Sequence, residues 1–149
     1  MKSKTCLLAI IFLLLFTLLS CSAPPQSARV TEVIDGDTIT IKGGFKVRYI
    51  GIDTPEIYPR EEPLAQEAWQ ANRTLVEGKI VTLERDVSET DRHGRLLRYV
   101  YVDSIFVNAE LVRLGLAEAK AYPPDNKYQN LLEELEAEAK SKKLGIWAR

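Results

Sequence analysis

Cysteine and histidine are scarce in this chain. Its 149 residues hold two cysteines and one histidine, His93. Cys6 falls in an apolar N-terminal stretch, which leaves Cys21 as the only cysteine of the remainder and excludes a structural disulfide there. The same scarcity disfavours zinc, which needs thiolate and imidazole ligands. An excess of basic charge is missing too: 20 Lys and Arg stand against 21 Asp and Glu, for a formal net charge of −1. Wholesale electrostatic capture of a polyanion is therefore not expected, and any polyanion site has to be local. There is no internal repeat, no low-complexity segment, and no apolar run of the roughly 18 to 20 residues that a stable membrane span requires.

The apolar run that is present, Leu7–Leu19, follows Lys2 and Lys4 and ends in Leu18-Leu19-Ser20-Cys21. A basic start, a short apolar middle and a small residue before cysteine read as an export leader. The ending resembles the bacterial lipobox, in which the peptide is cut before the cysteine and the thiol receives lipid. The expected organisation is a lipoprotein signal peptide over 1–20, lipidated Cys21 with a short tether over 21–27 containing Pro24-Pro25, and one domain over 28–149. An ordinary signal peptide cut a few residues later is the alternative. Lipidation implies a cell-envelope protein held to a membrane, at the outer membrane or cell surface, and Ser22 after the cysteine leans toward outer-membrane sorting. Without Lys2 and Lys4 the remainder is more acidic than the whole.

The domain reads in two blocks. Arg29–Ile34, Thr38–Lys42 and Phe45–Ile52 are β-prone runs, the second and third joined by Gly43-Gly44, a hairpin signal. Glu61-Glu62-Pro63 opens a helix whose apolar face is Leu64, Ala68, Ala71 and Leu75 and which ends near Gly78. Ile80–Glu84 and Leu96–Val102 return to strand, with Val81, Leu83, Leu96 and Val100 facing inward. Asn108 is expected to cap a short helix, Ala109–Leu114, closed by Gly115. A longer helix spans about Lys127 to Lys142, with Leu131, Leu132, Leu135 and Ala139 inward and Glu133, Glu134, Glu136 and Glu138 toward solvent. Trp147 is expected to pack the tail onto the core. Five strands and three helices follow, an α+β domain.

Three segments carry chemistry. Asp35-Gly36-Asp37-Thr38 is a tight turn between the first two strands and lacks the later ligand positions of an EF-hand. Arg48-Tyr49-Ile50-Gly51-Ile52-Asp53-Thr54-Pro55-Glu56 leaves a strand and places two acids about a proline that fixes the backbone. Asp37 and Asp53, with the Thr54 carbonyl, form an oxygen set suited to Ca²⁺ and less well to Mg²⁺ or Mn²⁺. Arg48 and Asp53 are five apart, so a regular strand would turn them to opposite faces. Both reach one site only if the strand breaks between them, and Gly51 is the expected break. The third segment is the charged loop Asp91-Arg92-His93-Gly94-Arg95.

These motifs, in this order, resemble the thermonuclease family of staphylococcal nuclease-like domains, in a lipoprotein form. The likeness runs from about Val30 through Gly145-Ile146-Trp147. It implies a five-stranded OB-fold-type β-barrel with three α-helices. It further implies Ca²⁺ on Asp37, Asp53 and the Thr54 carbonyl, Glu56 activating water, and Arg48 and Arg95 on the scissile phosphate. Arg92 and His93 are expected near a terminal phosphate. In the loop Lys120–Pro124, Tyr122 keeps one of two tyrosines that line the family's nucleotide pocket and Lys120 replaces the other, so weaker base stacking is expected, partly offset by charge. Further departures are the short hairpin between Ile41 and Arg48, Tyr49 where an aliphatic residue is common, and Arg98 where a small one is usual.

The expected activity is a secreted, lipid-anchored, calcium-dependent hydrolase of DNA and RNA phosphodiester bonds, with low sequence specificity, 3′-phosphate products, a preference for single strands and a monomeric state. The alternatives are a catalytically inactive OB-fold module that binds nucleic acid, or a surface lipoprotein whose barrel binds a protein or glycan.

Overall fold

The computed structural model describes residues 23–148, so the expected leader and Cys21 lie outside the described residues. Strands β1 (Ser27–Val33), β2 (Thr38–Ile41) and β3 (Phe45–Tyr49) form an antiparallel meander in which Thr38 faces Arg48 and Ile41 faces Phe45. Gly43 and Gly44, at φ +100° and +80°, make the hairpin turn. Strand β1 serves two partners. Ser27–Arg29 pair with the later strand Ile80–Glu84, Val30–Val33 pair with β2, and the register shifts between Val30 and Glu32. That extra residue lets Val30 and Val33 both turn inward, although three residues apart they would face opposite ways in a regular strand.

The short strand β4 (Ile52–Asp53) follows Gly51, and β5 is Ile80–Glu84. Strand β6 (Leu96–Val102) runs antiparallel to β5 and parallel to β3, with Val47 beside Leu96 and Tyr49 beside Arg98. The parallel pairing closes the circuit β1–β2–β3–β6–β5 into the five-stranded barrel of an OB-type α+β fold. Two further two-residue strands, β7 (Ile105–Phe106) on β6 and β8 (Glu118–Ala119) on β4, are too short to give a sequence period. The stretch 21–27 expected as a tether overlaps the sheet at its end: Ser27 pairs with Thr82, and the Gln26 carbonyl accepts the Leu83 N–H.

Val81, Leu83, Leu96 and Val100 face inward as their alternation predicts, and with Ile39, Ile41 and Val47 they fill the barrel. Each such side chain stabilises the fold by about 1.5–3 kcal/mol on full burial.

Three helices cover the barrel among the described residues: α1 (Ala65–Val76), α2 (Val107–Arg113) and α3 (Gln129–Ser141). Helix α1 keeps Ala68 of its expected face buried and Ala71 and Leu75 half-buried against the core, but its deepest line is shifted toward Asn72 and Val76. Its buried positions are Ala65, Ala68, Asn72 and Val76, while Leu64 stands before the helix at φ +70°. Asn72 can be buried there because its Nδ2 donates to the Asp35 carbonyl and its Oδ1 accepts the Tyr49 hydroxyl. Asn108 is not a cap: it lies inside α2, fully buried, donating to the Ile50 carbonyl and accepting the Val100 N–H. Gly115, at φ +71°, does close that helix. On α3, Leu132 and Ala139 are buried but Leu131 is exposed. Glu136 is not simply solvent-facing, because its Oε1 accepts the Ala119 N–H. Trp147 is half-buried with the Lys140 ammonium 4.2 Å over its ring and lies outside the barrel core.

Candidate active site

Strand β3 stops at Tyr49, Gly51 takes φ +79°, and β4 resumes at Ile52. The break expected at Gly51 is there, and it folds Asp53 back so that Asp53 Oδ1 accepts the Arg48 Nη2–H at 2.7 Å. Parallel pairing of β3 with β6 sets Leu97 beside Arg48 and so brings the 91–95 loop to the same end of the barrel. Antiparallel pairing of β4 with β8 sets Glu118 beside Asp53, and the Lys120 N–H continues the ladder to the Gly51 carbonyl. With the Asp35–Asp37 turn, four chain segments thus meet around one cavity of about 510 Å³.

Asp37 and Asp53 face each other across the Arg48 guanidinium. Asp37 Oδ2 accepts from Arg48 Nη1 at 2.8 Å and from the Thr54 N–H and hydroxyl, both at 3.0 Å, while Oδ1 takes the Thr38 hydroxyl. Burial pushes the Asp37 carboxyl up to about 7; the Asp35 charge adds to the rise, and Arg48 and Thr54 oppose it. Burial also works to lower Arg48, but Asp37, Tyr122, Asp53 and Asp35 together raise it above its usual value.

Glu56 lies on the cavity wall with its backbone pinned: its N–H donates to Glu62 Oε2 and its carbonyl accepts the Glu62 N–H, both at 2.9 Å. Among the described residues its carboxylate has no hydrogen-bond partner. Partial burial raises its affinity for a proton, with Asp35 and Asp53 adding to the effect. Across the cavity, Asp91 Oδ2 accepts the Arg95 Nε–H at 2.7 Å, and Asp91 Oδ1 accepts the backbone N–H groups of His93 and Arg95. Burial works against the Asp91 carboxylate, yet these bonds hold it below the usual range. Arg92 and His93 sit exposed on the rim, with Arg92 Nε donating to His93 Nε2.

The Tyr122 hydroxyl accepts from Arg48 Nη2 at 3.5 Å, and its ring faces the Arg48 and Lys120 cations at 5.9 and 5.8 Å. Lys120 is not free in the pocket, because its ammonium is paired with Asp53 Oδ2. Of the expected site residues, Asp37, Arg48, Asp53, Glu56, Arg92, His93, Arg95, Lys120 and Tyr122 line the one cavity. Thr54 holds Asp37 from beneath, and Cys21 lies outside the described residues.

Sequence reasoning missed the supports. Asp91 was legible only as part of a charged loop, although Asp-x-x-x-Arg around a glycine is the spacing for an internal pair. Asp35 lines the same cavity. Glu89 pairs with buried Arg98, whose Nη1 also donates to the Glu89 and Leu97 carbonyls, tying the approach of the 91–95 loop to β6.

A hard divalent cation fits this chemistry. Asp37 and Asp53 supply carboxylate oxygens on the wall of one cavity. Burial is the largest cause of the raised proton affinity of Asp37 and Arg48 opposes it, so a cation beside this carboxylate would favour its ionised form. Among the described residues no three Asp, Glu, His or Cys side chains converge, so a cation here would complete its shell with backbone oxygen and water, as Ca²⁺ commonly does. A larger cavity, about 660 Å³, lies against Ala23–Gln26 and the β5–β6 surface and holds the paired Arg98 and Glu89.

The model of the staphylococcal nuclease homologue family matches residues 46–149. A thermonuclease of Staphylococcus intermedius is 42% identical over 130 residues, covering 83% of this chain and 77% of its own. A thermonuclease of Staphylococcus hyicus is 38% identical over 133 residues, covering 85% and 79%. Endonuclease YncB of Bacillus subtilis is 43% identical over 126 residues, covering 79% of this chain and 60% of its own.

Proposed function

The chain belongs to the staphylococcal nuclease homologue family, and from that premise we infer that it is a nuclease, a hydrolase of phosphodiester bonds. We propose further that it depends on Ca²⁺ and cleaves DNA and RNA with little sequence preference, acting best on single strands and leaving 3′-phosphates. The observation that carries this reading is the Arg48 fork shared between Asp37 and Asp53, with Glu56 and Arg95 on the other walls of the cavity.

A phosphodiester is anionic and repels hydroxide, and attack at phosphorus puts more charge on its oxygens. Asp37, Asp53 and the Thr54 carbonyl would hold Ca²⁺, which when bound supplies a Lewis acid and neutralises a phosphate oxygen. Arg95 offers a planar fork matched to two phosphate oxygens, a fit that lysine's point charge lacks. Arg48, whose Nη atoms are taken by Asp37, Asp53 and the Tyr49 and Ile52 carbonyls, contributes its fixed positive charge beside the phosphate. Asp91 fixes Arg95 through Nε and leaves its Nη atoms, which have no protein partner among the described residues, for the substrate. Glu56 accepts the proton of the attacking water, and its raised proton affinity makes it a better base. Recognition through phosphate and one aromatic face, Tyr122, accounts for low sequence preference.

Single-stranded DNA incubated with the full chain in Ca²⁺ or in chelator tests the reading. Cleavage should require Ca²⁺ and fall about 10²- to 10³-fold in Glu56→Gln and in Arg95→Lys. Intact DNA with salt-sensitive binding would make the protein a binding module instead.

We also propose that the chain is exported and anchored by lipid on Cys21, as a monomer. The basis is the leader and the cysteine after Leu18-Leu19-Ser20. Metabolic palmitate labelling should mark the wild type and vanish in Cys21→Ser; label retained in that variant would exclude the anchor.

A further inference from the structure

Asp53 has both carboxylate oxygens occupied by cations of the protein. Arg48 Nη2 holds Oδ1 at 2.7 Å, and the Lys120 ammonium holds Oδ2. The two cations differ in freedom. Arg48 is buried and also donates to the Tyr49 and Ile52 carbonyls and to Asp37. Lys120 is half exposed, and only its backbone is fixed, by the N–H bond to the Gly51 carbonyl and the register of Glu118 against Asp53. A flexible four-carbon stem on an anchored backbone can swing its charge without disturbing the strands.

We propose that Lys120 is an internal cation that occupies Asp53 until metal arrives and then hands its charge to a substrate phosphate in the same cavity. This rests on the reading of Asp37 and Asp53 as the metal site. A divalent cation approaching Asp53 meets Arg48 on one oxygen and Lys120 on the other, and the exposed ammonium is the one that yields, because partly solvated ion pairs are weak. Its freed charge remains within the cavity, beside Tyr122, whose ring lies 5.8 Å away. Metal affinity is thereby reduced and phosphate affinity raised only in the loaded protein, so Lys120 couples the two binding events.

Calorimetric titration of the full chain with Ca²⁺ alone, without nucleic acid, tests the first half. Lys120→Gln should bind Ca²⁺ about fivefold more tightly than wild type, as expected from removing one weak competing charge. Lys120→Arg, which keeps the charge, should not, and Asp53→Asn should lose at least tenfold. The second half is read in a Glu56→Gln background, from the salt dependence of single-strand binding. In Ca²⁺ the slope of log affinity against log salt should be steeper with Lys120 present than in Lys120→Gln by about 0.7, one phosphate contact, and the two should coincide in chelator. Ca²⁺ affinity unchanged within twofold or weakened in Lys120→Gln, with Asp53→Asn still impaired, would overturn this inference and leave the metal site standing. Equal slopes in Ca²⁺ would overturn the hand-over. Absence of Ca²⁺ binding in wild type and every variant would overturn the metal site itself, and this inference with it.

Discussion

Arg48 is held at Tyr49 O, Ile52 O, Asp37 Oδ2, Asp53 Oδ1 and the Tyr122 hydroxyl. A guanidinium so constrained cannot wander, so its positive charge is fixed on the cavity wall. The same economy of motion depends on a residue with no side chain. A Cβ on Gly36 would lie 2.5 to 2.8 Å from three atoms of the Thr54 side chain, and Thr54 holds Asp37 through both its N–H and its hydroxyl. Gly36→Ala must therefore push Thr54 aside and release Asp37, although φ at this position is ordinary. The expected result is a fall of about 10²-fold in cleavage rate, the scale for a displacement of about 1 Å in a catalytic constellation. Cleavage kinetics beside circular dichroism check it: wild-type rates in a folded variant would show that the Gly36–Thr54 contact does not govern the site.

At the scale of elements, what was legible followed from period and punctuation. The alternation of Val81, Leu83, Leu96 and Val100 placed four inward side chains correctly, Gly43-Gly44 placed the hairpin, and Gly51 placed the break that turns Asp53 back to Arg48. What was illegible followed from polar groups satisfied at a distance. Asn72 and Asn108 are fully buried because they hydrogen-bond Tyr49, Asp35, Val100 and Ile50 across the fold. Local reasoning instead gave α1 a purely apolar face and made Asn108 a cap, because short polar side chains favour helix ends when nothing else claims them. Glu136 was read as solvated for the same reason, since its partner, the Ala119 N–H, belongs to a two-residue strand that has no period. The candidate site was legible as residue types and order. Its supports Asp91, Glu89 and Arg98 were not, because their pairing depends on a loop laid against β6.

For the whole molecule, the near balance of charge conceals a local surplus of acid around Asp37. Burial pushes that carboxyl from the ordinary 3.8 to about 7. A group that binds its proton more tightly when folded takes up protons on folding, so its contribution is greatest below 3.8 and is lost as pH rises to about 7. Glu56 shifts in the same direction. The lowered acids, Glu84, Glu89, Asp91, Glu110 and Glu138, act oppositely: their stabilisation grows as pH rises through the usual carboxylate range and is complete by roughly pH 5.5. Between about pH 5.5 and 7.5 the raised acids, Asp37 with Glu56 beside it, therefore dominate, and the chain in chelator should become less stable as pH rises. Saturating Ca²⁺ should remove that loss, because a ligand of the folded ionised site adds stability by mass action. Asp37→Asn should flatten the slope, having no proton to gain. Urea midpoints at the two pH values, in chelator and in Ca²⁺, decide it. A wild-type midpoint that holds or rises in chelator would mean that Arg48 and Thr54 compensate Asp37 fully, and the electrostatic case for a cation beside it would then fall.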